Sequence, residues 1–421
     1  MPTDARTMRH GGFLLGATVV GSAGFYVFRV VATHRLGVAE YGTLASLLAI
    51  VALTGFVSAF STAIVARLTA QVRGPSDAGM LGRVREIVFV SAAAVLLLGL
   101  LCAAFASPAI ARFLNGAPLW AVRVTIVLAA LGVALAIVRG MLQGAQLFAL
   151  FSLSQAIEFL GKAALASAAV LGGLSILGAM TGQTLAAFAA VVWTYAIVAR
   201  RFRGKATSLG VGVRPVVVRS ANIAATYLAL AMLIELDLIL AKHYLSPFYA
   251  GIYGVVVLPG RALATFISVL PTLLLPHAAE HAQAGLGTHP LLRPMVTIGV
   301  CVSVALLLLV WLAPAPVVGL IAGAQYAGAA PLLLPAVAAA SFWGLTSIGV
   351  AYRAAFDRFA FMPLLAATVL LEAAAIVIFH RTPQTIVEVL LCANALGFAV
   401  TFIGIHGRRT QRAVARTLVS P

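Results

Sequence analysis

The chain has 421 residues, of which 62% are hydrophobic and 9% charged, and a formal net charge of +17. Water-soluble domains carry about 25% charged residues. A chain this apolar cannot present its surface to water, so the bilayer is its solvent, and a soluble domain is excluded.

A helix needs roughly 20 apolar residues to cross the hydrocarbon core. Twelve runs reach that length: 12–33, 43–66, 87–107, 119–138, 147–171, 174–198, 218–240, 248–275, 294–313, 329–350, 361–379 and 384–405. Runs such as Ala92 to Leu101 do not alternate every second residue, so helices rather than barrel strands are expected. The first run follows a basic segment but is long and lacks a small-residue cleavage site, so it reads as a retained span rather than a signal peptide. Its polar residues Thr18, Ser22, Arg29 and Thr33 share one helical face. Span 2 adds Thr54, Ser58 and Ser61. In span 5, Glu158 and Lys162 stand one helical turn apart and are expected to neutralise each other.

The longest basic connector, Arg200 to Pro215, follows span 6. Span 7 holds Asn222, Thr226 and Asp237. Span 8 holds Arg261, Thr265, Ser268 and Thr272 on one face. Pro259, Pro271 and Pro276 are expected to bend or interrupt span 8. His277, Glu280 and His281 match the inverted zincin pattern by letter. A zincin needs a further ligand from its fold, and these residues follow Pro276 at a helix end, so a solvated loop is expected. Gly161-Lys162 is followed by Ala163, with no upstream glycine to cradle a phosphate, so ATP hydrolysis is unsupported. Cys102, Cys301 and Cys392 are too scattered for a disulfide framework or a zinc site.

Charge sets the topology. Of the 28 lysines and arginines, Arg35, Arg112, Lys242 and Arg381 fall in one set of alternate gaps, and Arg29, Arg123, Lys162 and Arg261 fall within spans. The other twenty lie in the opposite set of gaps or at the termini. The positive-inside rule then places both termini and the basic gaps in the cytoplasm. The net charge is therefore a topology signal, and no nucleic-acid partner is expected.

The two sets of six spans echo each other. Residues 105–116 resemble 312–323, and Arg139 and Arg353 are each followed by a glutamate 19 residues later, Glu158 and Glu372. Residues 33–42 match 242–254 with a three-residue insertion. Six spans are an even number, so both halves start on the same side, as parallel repeats do. The expected fold is an all-α polytopic membrane protein of about twelve transmembrane helices. It has two parallel six-helix lobes, 1–205 and 218–406, around a central cavity, with a basic linker 206–217 and a basic tail 407–421.

A charge in mid-bilayer costs about 2.5–3.5 kcal/mol by insertion scales, so it faces a cavity or a partner. Spans 1, 2, 7 and 8 are expected to line a polar cavity between the lobes. Its candidate substrate-binding residues are Ser22, Arg29, Asn222, Arg261, Thr265 and Ser268. Two arginines there suit a phosphate group. The alternative for the arginines is snorkelling, or pairing with Asp237 or Glu235. Asp237, Glu158 and Glu372 are the candidates for ion coupling.

Several of these segments carry a family resemblance. Arg35-Leu36-Gly37 leads to Tyr41-Gly42, and Ala63-Ile64-Val65-Ala66-Arg67 closes span 2. Gly140 to Gly144 is followed by Phe148 and, further along, Lys162. Asp237 is followed by Leu245-Ser246-Pro247, Ala250-Gly251-Ile252-Tyr253 and Pro276. In this order, over about two thirds of the chain, they resemble the polysaccharide flippase branch of the multidrug/oligosaccharidyl-lipid/polysaccharide exporter superfamily. The resemblance implies a V-shaped pair of lobes around a cationic cavity. It also implies a cargo, a polyprenyl-pyrophosphate-linked oligosaccharide moved from the inner to the outer leaflet. Related lipid II flippases place cavity arginines on spans 1, 2 and 8; Arg29 and Arg261 match on spans 1 and 8, and span 2 has no counterpart.

The rival within the superfamily is an ion-coupled drug antiporter, which would favour acidic or aromatic cavity residues. A major-facilitator transporter would carry a Gly-Asp-Arg motif that 72–86 lacks. A glycan polymerase would need a large outer loop, and 314–328 carries no charge at all. The expectation is a flippase of the cytoplasmic membrane serving cell-surface polysaccharide synthesis, not an enzyme, with no metal or cofactor. Its expected partners are the lipid-linked oligosaccharide, membrane lipids and other polysaccharide-assembly proteins.

Overall fold

The computed structural model describes residues 21–71, 78–204, 213–283, 289–355 and 358–403. Every regular element among them is helical. The first half contains α1 (21–35), α2 (Val38–Leu53), α3 (Gly55–Gln71), α4 (Ala78–Phe105), the short α5 (Ser107–Phe113), α6 (Leu119–Gly144), α7 (Phe148–Leu171) and α8 (Ser175–Arg201). The second contains α9 (Val213–Tyr244), α10 (Pro247–Val256), α11 (Leu258–Gln283), α12 (His289–Leu312), the short α13 (Pro314–Ile321), a 3-10 segment (Ala324–Leu332), α14 (Leu333–Ala355), α15 (Met362–Ile378) and α16 (Pro383–Phe402). The order of long, broken and short helices is the same in both halves.

Ten of these stretches are long and apolar enough to cross a membrane, with α2–α3 and α10–α11 each counting once. The shorter α15 and the described part of α1 occupy the remaining two positions of the twelve expected spans. The protein is an all-α polytopic membrane protein. Leu97, Phe105, Trp311, Leu320 and Leu370 are 59–81% exposed, as side chains solvated by lipid should be.

Local chemistry explains the punctuation. Pro247 stands in the first turn of α10 behind Ser246, whose hydroxyl accepts from the Tyr249 amide, and Pro383 does the same behind Thr382 in α16. Both short helices also carry a proline in the first turn, Pro108 and Pro314, and each is followed by a glycine with positive φ, Gly116 at 75° and Gly323 at 87°. The α10–α11 break falls at Val257, two residues before Pro259, which has no amide hydrogen to continue the ladder. The matching α2–α3 break falls at Thr54, whose hydroxyl donates to the Val51 carbonyl at 2.7 Å. The other span-8 prolines do not interrupt anything: α11 runs on through Pro271 and Pro276. The His277–His281 letters therefore lie on helical backbone, not in a loop; their side chains, and that of Thr272, fall outside the described residues, as does Thr18.

Each half is built on one largely buried helix. α6 packs against α3, α4 and α8, while α14 packs against α11, α12 and α16. Between the halves, α2 lies on α9 and α10, and α3 lies on α9. The α2–α10 crossing is the tightest point. A Cβ on Gly42 would sit 2.6 Å from the Gly251 nitrogen, and a Cβ on Gly251 would collide with the Val38 carbonyl. Gly37 and Ser246 both cap the following helix, so 33–42 and 242–251 align without a gap and Gly42 corresponds to Gly251. The three-residue insertion expected from the sequence is thus absent.

On the face opposite the basic gaps the halves are stitched together. The Thr33 hydroxyl donates to the Ile321 carbonyl at 2.6 Å, and Gln325 Nε2 donates to the Thr33 carbonyl at 2.9 Å. Asn115 Nδ2 donates to the Leu245 carbonyl at 3.2 Å, and His243 hydrogen-bonds the Phe113 carbonyl at 2.6 Å.

Candidate functional site

Beneath that closed face lies a cavity of about 330 Å³ between the halves. It is lined from the first half by α1, α2, α7 and α8, and from the second by α9, α11 and α14. Ser22, Tyr26 and Arg29 reach it from one face of α1. Arg261, Thr265 and Ser268 reach it from one face of α11. The two faces touch where the Tyr26 and Thr265 hydroxyls share a hydrogen bond of 3.0 Å.

The two arginines differ in kind. Arg29 is 4% exposed, and its Nε and Nη1 have no hydrogen-bond partner among the described residues. Its guanidinium lies 4.8 Å from the centre of the Phe25 ring. Near it stands Tyr41, which packs edge-on against Tyr326. Arg261, by contrast, donates through Nη1 to Glu235 and through Nη2 to Asp237 at 2.7 Å. The second Asp237 oxygen accepts from the Tyr253 hydroxyl at 2.7 Å. Arg261 is thus held by two carboxylates, whereas Arg29 has no carboxylate bonded to it among the described residues.

Lys162 also lines the cavity, with its ammonium 2.6 Å from Glu158 Oε1. Glu158 is 5% exposed, and its other oxygen accepts from Arg139 Nη1 at 2.6 Å. Arg139 further donates to the Ser154 hydroxyl and carbonyl, and that hydroxyl also hydrogen-bonds Thr194. This carboxylate is a structural hub with two cations on it, not a bare acid.

The structure brings together Ser22, Arg29, Arg261, Thr265 and Ser268. Asn222 does not join them. It is exposed, and it stands fifteen residues from Asp237 along α9, about 22 Å at 1.5 Å per residue. Lying on the same span did not put both residues at one depth. Span 2 brings Leu48, Val51 and Ala52 to the cavity rather than its hydroxyls. Glu372 is also elsewhere: it lies on α15, 1% exposed, and neither carboxylate oxygen has a partner among the described residues.

Residues 8–281, more than half of the chain, match the profile of a family described as polysaccharide biosynthesis protein. The chain belongs to that family. No curated protein matches it. Among solved structures, this polysaccharide biosynthesis protein is similar to an inward-facing multidrug resistance MATE transporter of the MOP superfamily. The TM-score is 0.72 at 14% identity, covering 97% of this chain and 99% of that one. The lipid II flippase MurJ in an inward closed conformation also gives 0.72, at 11% identity, covering 92% and 86%. An outward-facing MATE transporter gives 0.60 at 16% identity, covering 98% and 96%. The family member described here thus has the fold of MOP-superfamily transporters and flippases.

Sequence spacing missed Phe25, Tyr26, Phe159, Gln183, Glu235 and Trp343 as cavity residues. The period of α1 places Phe25 and Tyr26 between Ser22 and Arg29, which was a usable signal. Nothing local marks Gln183 or Trp343, which arrive through packing of α8 and α14.

Proposed function

We propose that this protein moves a polyprenyl-pyrophosphate-linked oligosaccharide across the cytoplasmic membrane by alternating access, for cell-surface polysaccharide assembly. The observation that carries the reading is Arg29, a buried cation with no carboxylate bonded to it among the described residues, facing a cavity between two repeated halves. An unpaired charge held out of water is costly, and a diphosphate entering the cavity relieves that cost with charge-assisted hydrogen bonds. Arg261 serves by positioning Glu235 and Asp237, and the lipid tail stays in the bilayer while the head group travels.

The stitched outer face and the closer likeness to an inward-facing relative support a resting state that opens toward the basic, cytoplasmic face. Glu372 is the coupling candidate with no competing partner, since Glu158 and Asp237 are both taken by cations.

The drug-antiporter reading has Glu235, an acid at the cavity wall, in its favour. That carboxylate is spent on Arg261, so it offers little to a cationic drug. Deleting the gene and profiling the cell's lipids by mass spectrometry decides between them. Build-up of a polyprenyl-pyrophosphate saccharide, reversed by the wild-type chain but not by Arg29→Ala, is the expected result. Unchanged lipids with raised sensitivity to toxic cations would transfer the protein to the antiporter class.

A further inference from the structure

A concavity of about 620 Å³ opens on the flank of the first half, between α4 and α8, and shares no residue with the central cavity. Both helices pack on α6, and a stacked pair of rings, Phe89 and Tyr195 with centroids 4.0 Å apart, bridges the gap between them. The charge sits on the rim. Arg83 and Arg85 line it from α4, and Arg200, Arg201 and Arg203 follow Ala199, which lines it from α8. Against these, Glu86 is the one carboxylate in the lining among the described residues, bonded to Arg83 at 3.0 Å. Arg85 donates to the Phe202 carbonyl at 2.5 Å, which holds its guanidinium over the C-terminal end of α8. The rings lie one layer deeper. Phe89 stands six residues after Arg83, and Tyr195 five before Arg200, about 8–9 Å at 1.5 Å per residue. Val90, Val192 and Tyr195 are exposed, so this flank faces lipid.

We propose that this groove is a binding site for one anionic phospholipid of the inner leaflet. The cationic rim lies at the end that the charge distribution places in the cytoplasm, and the aromatic layer lies just inside it. That order matches the leaflet itself, with headgroups first and then the interface where tyrosine rings settle. A guanidinium has five N–H donors. Among the described residues Arg83 spends one on Glu86 and Arg85 one on Phe202, so both keep donors for phosphate oxygens. The first acyl carbons then run along Phe89, Tyr195 and Val90. A zwitterionic headgroup brings its own ammonium, which the arginines repel, so the rim selects a net negative lipid. A soluble phosphate would leave the aromatic layer unused. The site lies outside the central cavity and holds whatever that cavity carries.

The test titrates the full chain in mild detergent with phosphatidylglycerol or phosphatidylcholine and counts bound lipid by native mass spectrometry. Wild type should hold phosphatidylglycerol in preference to phosphatidylcholine. Arg83→Gln should weaken that binding about fivefold, the share of one arginine beside an anionic headgroup. Arg293→Gln, which removes one exposed charge from the basic end of the second half, should leave it unchanged. Equal affinity for the two lipids, or an equal loss in both variants, would reduce the rim to the charge that sets topology and overturn the site. Displacement of the lipid by inorganic phosphate would make it a soluble-anion site and overturn the lipid occupant. A second measurement needs no variant. Phosphatidylglycerol with a photoactivatable group near its headgroup should label the segments holding Phe89 and Tyr195, and labelling spread evenly over the lipid-facing helices would also overturn the proposal.

Discussion

The Arg139 guanidinium donates to the Glu158 carboxylate at 2.6 Å, whereas the residues at the matching positions of the second half, Arg353 and Glu372, do not meet. Arg353 instead bonds the Ile403 carbonyl at the end of α16. The repeat has kept its helices and abandoned one of its ion pairs. One half retains a satisfied polar core, and the other leaves a buried acid on α15 with no bonded partner among the described residues.

The first-half hub should behave as a buried ion pair. Glu158→Gln leaves Arg139 and Lys162 without their carboxylate, and losing one partner of such a pair costs about 3–5 kcal/mol. Thermal unfolding of the purified protein in detergent should show a large drop in Tm. The triple change Arg139→Met, Glu158→Met, Lys162→Met should recover most of it, because no charge of the hub is then stranded. A triple variant less stable than Glu158→Gln would show that the hub does more than balance charge.

Much of this was legible in the sequence for reasons of solvent. Lipid demands about 20 apolar residues per span, so all twelve positions could be read, and so could the likeness of 105–116 to 312–323, though not that each holds a short helix. Helical period correctly grouped Ser22 with Arg29, and Arg261 with Thr265 and Ser268. Period fixes a face and says nothing of what another helix brings to that face. Hence the sequence could not distinguish the paired Arg261 from the unpaired Arg29, nor show that Glu372 lacks what Glu158 has. The α2–α3 break was hidden too, since Thr54 carries no backbone signal as strong as that of Pro259.

Arg29 and Arg261 should separate when each is changed to alanine. Arg29→Ala removes a buried cation that no carboxylate hydrogen-bonds among the described residues, so Tm should hold or rise while transport collapses. Arg261→Ala strands Glu235 and Asp237, so Tm should fall by the equivalent of several kcal/mol. Lipid-linked saccharide build-up in complemented cells, set beside detergent Tm values, reads both. A destabilised Arg29→Ala would mean that this guanidinium is a structural strut.

The Tyr26–Thr265 bond crosses from α1 to α11 at 3.0 Å and joins the two halves at the wall of the cavity. Hydrogen bonds between membrane helices contribute about 0.6 kcal/mol on average. Tyr26→Phe and Thr265→Val should therefore each shift the balance between states by only two- to threefold, and their combination should add nothing to either alone. Relative populations from spin-label distances across the cavity mouth would measure this. Additive effects would mean that the two hydroxyls act independently.

The Gly42–Gly251 crossing should act as the stop that lets the outer face close. Neither position has room for a Cβ, because the opposing backbone rather than a movable side chain occupies the space. In a state where α2 and α10 have parted, that restriction disappears. Gly251→Val should therefore penalise the closed outer face and favour the outward-open form without harming the insertion of either helix. Spin labels at Arg112 in the first half and Phe248 in the second, both exposed on that face, should report a longer separation than in wild type. Transport should fall, since cycling needs both states. An unchanged distance distribution with normal transport would show that the helices slide past the added methyl groups, and the crossing would lose its role as the stop.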